Sequence, residues 1–167
     1  MKDADYWIEK LELKPHAEGG WYRELWRADL TIPASVLPPR YTGGRSGGRS
    51  VCTLIHYLLE AGSRSAWHQV KSAEIWLWHA GGTLELSLGG RGSTPEEVAG
   101  PLPDAAVPGG FYEHYRIGTD PDKGEAFYGV VPPEVWQAAE VREGPYVLVS
   151  CAVSPGFHWE DFSLPGL

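Results

Sequence analysis

A chain of 167 residues, 43% of them hydrophobic, has the size and apolar content of one domain around one core, and is no disordered tail. Its formal net charge of −8, from 14 basic and 22 acidic residues, argues against nucleic acid or an anionic membrane as the main partner, because both require a basic face. The 21 glycines and 14 prolines interrupt long helices and favour short strands joined by turns, so an all-β sandwich or barrel is expected.

In chain order, residues 3–13 come first and read as an amphipathic helix. Ala4, Trp7, Ile8 and Leu11 recur at helical spacing, Asp3 can cap the start and Pro15 stops it. The helix with its exit occupies residues 1–14. Residues 21–26 look extended. Residues 33–50 are rich in Pro, Gly and Arg and read as a long loop. Its stretch 43–49 is the most flexible part, with basic side chains that lie in solvent or close over a pocket.

Residues 51–59 form a strong strand candidate, and Gly62 then makes a turn. Residues 65–70, 74–79 and 83–88 follow as three short strands. Residues 89–110 form a second long Gly/Pro loop. Further strands are expected at 112–117 and 126–131. Residues 135–141 fit either a helical turn or a strand. Residues 146–153 read as a strand buried on both faces. The tail, 154–167, carries Phe157, Trp159 and Phe162, which pack back onto the barrel. One helix and eight or nine strands, with no internal repeat, close most simply as a single jelly roll over residues 1–167.

Cys52 and Cys151 lie in apolar, strand-like runs and are expected as buried free thiols, not as a disulfide framework. Residues 1–10 carry charges throughout, unlike a signal peptide. No apolar run reaches the roughly 18 residues of a membrane span. A cytoplasmic protein is expected.

The informative segment runs from Gly62 to Gly81. Strand alternation puts His68 and Val70 on one face, and Glu74, Trp76 and Trp78 on one face of the next strand. If the strands are neighbours, His68 and Glu74 converge. An imidazole and a carboxylate meeting inside a barrel can serve as two ligands of a metal or as an acid/base pair.

The ordered residues Gly62, His68, Glu74 and Gly81 resemble the first motif of the cupins, with Val70 where that motif has a second His. The run from Pro132 to Gln137 resembles the second motif, with Glu134 at its Gly and Gln137 at its His. Four blocks resemble one branch, the cupin-5-like proteins of largely unassigned function. These are residues 13–24 (with His16, Glu18, Gly19, Gly20 and Arg23), 65–68 with 74–76, 131–139 and 153–162.

The resemblance implies an all-β double-stranded β-helix with a short N-terminal helix, usually a homodimer. It makes 33–50 and 89–110 loop elaborations. It places His68 and Glu74 as catalytic residues. Gln137, Trp76, Trp136, Arg23, Arg64, His16 and Glu18 are expected to contact a small-molecule ligand. A divalent metal, if one is held, would sit on His68, Glu74 and Gln137. That set has fewer imidazoles than a metal cupin offers, and a glutamine is a poor transition-metal ligand.

Three functions are therefore expected. The first is metal-independent acid/base chemistry, isomerase- or epimerase-like, on a small polar or sugar-like substrate. The second is a metal-dependent enzyme with a weak divalent site. The third is a non-catalytic module that binds a small metabolite.

Overall fold

A computed structural model describes residues 2–41, 44, 47–95 and 114–165. Helix α1 (Ala4–Lys10) starts at Asp3, whose carboxylate accepts the Tyr6 N–H at 2.9 Å. It is shorter than expected because Leu11 leaves helical geometry and Glu12 turns to φ 53°. Trp7, Ile8 and Leu11 cover Leu13, Leu58, Tyr146 and Leu148 on the outside of the barrel.

Twelve strands follow among the described residues. They are β1 (Lys14–Pro15), β2 (Trp21–Arg27), β3 (Thr31–Ile32), β4 (Arg49–Ser50), β5 (Thr53–Glu60), β6 (Arg64–Val70), β7 (Ala73–Leu88), β8 (His114–Ile117), β9 (Glu125–Ala126), β10 (Tyr128–Val131), β11 (Trp136–Ser154) and β12 (Phe162–Ser163). Strands β3 and β4 pair as a separate ribbon at the ends of the 33–50 loop, which also holds two 3-10 turns at Ala34–Val36 and Pro39–Tyr41. The others share one ladder, antiparallel except between β8 and β9.

The register resolves that ladder into two layers. Residues 146–154 of β11 pair with β5 and with residues 73–81 of β7; β1 and β2 extend this layer on one side, β10 on the other. Residues 136–143 of β11 pair with β6 and with residues 83–88 of β7; β12 and β8–β9 extend the second layer. The two long strands thus run through both sheets of a jelly roll.

This joins segments the sequence divides. Residues 74–79 and 83–88 belong to one strand, and residues 136–141 of the ambiguous segment are strand continuing into 146–153. The bend falls where Gly81 (φ 98°) and Gly82 meet Gly144 (φ 85°), and a Cβ on Gly82 would run into the Glu143 carbonyl. Conversely, the strand expected over 126–131 is divided, with Phe127 between β9 and β10.

Between the layers, Leu84, Leu86, Ile117, Val147 and Val149 fill one end with no more than 1% exposure. Most of the expected 89–110 loop (96–110) and residues 112–113 of an expected strand lie outside the described residues. So does part of the 43–49 stretch. Arg49, expected in solvent or over a pocket, is buried instead, with Nε and Nη2 donating to Asp161 at 2.6 and 2.7 Å. Both cysteines are free thiols; Cys151 is buried and Cys52 half-buried. Among the described residues no helix is long and apolar enough to cross a membrane.

Candidate functional site

The opposite end of the sandwich encloses a cavity of about 900 Å³. Strand alternation aims Tyr22 of β2, Tyr57 of β5, His68 and Val70 of β6, Glu74 of β7 and Cys151 of β11 into it. His16 and Glu18 arrive from the turn between β1 and β2. That turn needs Gly19 (φ 105°) and Gly20 (φ 70°), because it presses against the Arg64 carbonyl and the Tyr57 hydroxyl. The Tyr57 hydroxyl donates to the Gly19 carbonyl at 2.7 Å, and the Ala66 N–H to the Glu18 carbonyl at 2.7 Å.

Glu18 lies at the centre of the first polar group. Its Oε1 accepts from the Ser65 hydroxyl at 2.8 Å, while Oε2 lies 3.2 Å from His68 Nε2 and 3.4 Å from His16 Nδ1. His68 Nδ1 sits 2.8 Å from the Ala66 carbonyl, which can only accept, so this nitrogen carries the proton. Nε2 is then left to share a proton with Glu18. His16 Nδ1 accepts the Glu18 N–H at 3.2 Å, so the proton of the neutral ring is on Nε2.

The second group centres on Glu74. Trp76 Nε1 donates to Gln137 Oε1 at 2.9 Å, and Gln137 Nε2 donates to Glu74 Oε2 at 2.6 Å. The Cys151 thiol also bonds the Glu74 carboxyl.

Burial dominates the electrostatics. It raises the pKa values of Glu18 and Glu74 above the usual carboxylate range and lowers those of His16 and His68. The same burial pushes the Cys151 thiol well up, away from nucleophilic thiolate. All four acid/base groups are thereby shifted toward their neutral forms.

Aromatic rings form the wall opposite. His16 stacks on Trp159 (5.6 Å between centroids, 30°) and meets the Tyr22 ring edge-on at 4.5 Å. His68 stacks on Phe162 at 5.5 Å and 28°. Trp159 and Phe162 belong to the final segment, which crosses the cavity and is tied to β6 through β12. At the rim, Arg23 pairs with Glu12 (2.6 Å) and Arg27 with Glu24 (2.8 Å).

Of the residues expected at the site, His16, Glu18, Arg23, His68 and Glu74 line the cavity. Gln137 and Trp76 stand behind Glu74 and orient it. Trp136 instead holds the backbone of the 89–92 segment, its Nε1 donating to the Gly92 carbonyl at 2.9 Å. Arg64 stacks over the Trp67 ring outside the cavity. Tyr22, Tyr57, Phe157, Trp159 and Phe162 are aromatic lining residues that were not singled out as site residues. For Tyr22 and Tyr57, inward strand parity was the available signal.

The donor set for a divalent ion does not fit. Gln137 gives its carbonyl oxygen to Trp76 and turns its amide nitrogen toward Glu74. Val70 supplies no donor. Among the described residues no group of three His, Cys, Asp or Glu side chains is placed to hold a metal.

Comparison with known proteins agrees with this architecture. A hypothetical protein from Leishmania major is 28% identical, with a TM-score of 0.74 over 96% of this chain and 86% of its own. A crystal structure of a Shewanella oneidensis protein is 29% identical, with a TM-score of 0.73 over 98% and 85%. A cupin-2 domain from Rhodospirillum rubrum, 12% identical with a TM-score of 0.50 over 92% and 74%, shares the fold alone. No curated protein matches the chain. The family model described as Cupin superfamily (DUF985) matches residues 5–165, and the chain belongs to that family.

Proposed function

We propose that the cavity binds a small polar or sugar-like molecule and moves a proton on it, as an isomerase or epimerase does. The observation that carries this reading is the contact between His68 Nε2 and Glu18 Oε2 at 3.2 Å, with His68 Nδ1 fixed by the Ala66 carbonyl. A fixed tautomer leaves Nε2 as a base of defined direction. Glu74, in the other layer, lines the same cavity, and burial pushes its carboxyl toward the protonated form that can act as an acid.

In this scheme His68 Nε2 removes a proton from a carbon next to a carbonyl. Glu74 gives its proton to the carbonyl oxygen, and an enol forms. Return of both protons, with the carbon proton delivered to the other face or the neighbouring carbon, gives the epimer or isomer. No atoms are gained or lost. The aromatic wall of Tyr22, Trp159 and Phe162 suits the flat, apolar face of a ring.

The test is hydrogen exchange in D2O, followed by proton NMR over a panel of aldoses, ketoses and their phosphates. The wild type is expected to wash deuterium into one C–H position of a panel member. His68→Ala and Glu74→Ala are expected to slow this by about 10²–10⁴-fold. Exchange that His68→Ala leaves intact would remove the acid/base role.

The aromatic wall also favours a second reading, a module that binds without turnover. That version predicts a ligand that raises the melting temperature by mass action and is recovered unchanged. A homodimer is proposed as the working unit, in keeping with the family resemblance and with Trp26, Leu30, Val36 and Phe127 left exposed. Sedimentation equilibrium at twice the monomer mass is expected.

A further inference from the structure

We propose that the outer face of the first sheet carries a second site, a two-imidazole seat for a transition-metal dication, formed by His56 and His79. His56 lies on β5, directly across from Ser150 on β11. Its neighbours Ile55 and Tyr57 face the interior, as does Cys151 beside Ser150, so His56 and Ser150 face outward.

His79 reaches the same point by an irregularity. Along β11, Leu148 pairs with Ala80 and Val149 with Trp78, which leaves His79 as the extra residue of a bulge. A bulge re-aims its side chain, and here it turns the imidazole onto Ser150.

The result is two ring nitrogens directed at one oxygen. His79 Nε2 lies 2.6 Å and His56 Nδ1 3.3 Å from Ser150 Oγ. The ring centroids are 5.8 Å apart and the planes 86° to one another. Two imidazoles on a common tetrahedral ion, with metal–nitrogen bonds of about 2.0–2.1 Å, have centroids about 5 Å apart. A small rotation of the exposed His79 ring closes the difference.

Imidazole suits zinc, nickel and copper, and water completes the coordination. Partial desolvation lowers the pKa of both rings, and the neighbouring His79 lowers that of His56 further, which favours the neutral form that binds metal. Arg23, across from His56 on β2, also depresses His56; its own charge is paired with Glu12. His16 and His68 lie on the other side of this sheet, within the cavity, so the two histidine pairs are separable by mutation.

The experiment is calorimetric titration of Ni2+ into the untagged protein, with thermal unfolding of each variant as a check on folding. One equivalent is expected to bind. His56→Ala and His79→Ala are each expected to weaken it at least about tenfold, and His79→Gln, which keeps the size and polarity of the exposed side chain, should do the same. Ser150→Ala should retain binding, because both imidazoles remain, and so should the cavity variant His68→Ala. Ni2+ affinity unchanged in His79→Ala and His79→Gln would overturn the proposal. So would loss on His68→Ala alone, which would move the ion to the cavity. Neither result would bear on proton transfer at His68.

Discussion

Glu74 is a buried carboxyl whose hydrogen-bond donors are an amide and a thiol. Neither donor neutralises a charge, so burial dominates and raises its pKa above the unfolded value. The sign of the linkage follows. A carboxyl raised in the folded state has its full stabilising contribution below the ordinary carboxylate value. That contribution falls as pH rises toward the folded value, because the unfolded chain ionises first. His68 is lowered, so its contribution is present above the ordinary imidazole value and is lost as pH falls. Glu74→Gln keeps an acceptor for Gln137 and removes the carboxyl titration, together with the raising effect of Glu74 on His68. The melting temperature of the variant relative to wild type is therefore expected to rise between pH 4.5 and pH 8, by about 2–4 °C for each kcal/mol of buried ionisation removed. A difference that stays constant across that range, read by calorimetry, would show that folding does not raise the pKa of Glu74. At this scale His68 and Glu74 were legible, because alternation and motif spacing both put them on inward faces. The role of Gln137 was not. Its amide could have faced the cavity or the wall, and only the placement of the Trp76 indole decides that.

The elements show where glycine misleads. Gly81-Gly82 and Gly144-Pro145 fall between segments that the sequence reads as separate. In the structure they are bends inside two continuous strands, because each faces the other at the crossing between sheets. Pro145 falls in the interval where the β7–β11 register shifts, where its missing N–H costs no ladder bond. Glu134 is the complementary case. It stands where the resembling motif has glycine, yet keeps φ 61° with its N–H donating to the Val70 carbonyl at 2.9 Å. The bend is testable at Gly82, where a Cβ would strike the Glu143 carbonyl, a backbone atom with no rotamer to yield. Gly82→Ala is expected to cost about 1–3 kcal/mol in urea unfolding, as overpacking does. Gly124→Ala is the control, since its left-handed backbone (φ 75°) carries a conformational penalty while its Cβ would meet nothing within 4 Å. A loss at Gly82 no larger than the one at Gly124 would mean that the crossing yields to an added Cβ.

Across the whole molecule, the segment after β11 forms one wall of the cavity. It crosses the cavity end, contributes Phe157, Trp159 and Phe162 to its wall, and pairs with β6 through β12. The packing of this tail was legible from its aromatic residues. Its anchor was not, because Arg49 sits in a Gly/Arg-rich stretch whose composition reads as solvent-exposed loop. Arg49 and Asp161 are 112 positions apart in the chain, and both side chains are at most 3% exposed. Their two parallel hydrogen bonds join the 33–50 loop to the tail. Asp161→Ala leaves a buried guanidinium without its carboxylate and is expected to cost about 3–5 kcal/mol. It should also unstack Trp159 from His16, shifting tryptophan emission toward the red. Replacing both partners, Arg49→Met with Asp161→Leu, removes the uncompensated charge and is expected to recover most of that stability. The backbone bond from Lys71 N–H to the Asp161 carbonyl at 3.1 Å survives both changes, so the tail of the double variant keeps its course over the cavity. Emission then separates two roles of the pair. If the double variant regains stability and wild-type emission, the ion pair secures the tail only by avoiding a buried charge. If stability returns while emission stays red-shifted, the planar fork itself sets the position of Trp159, and with it the shape of the cavity wall.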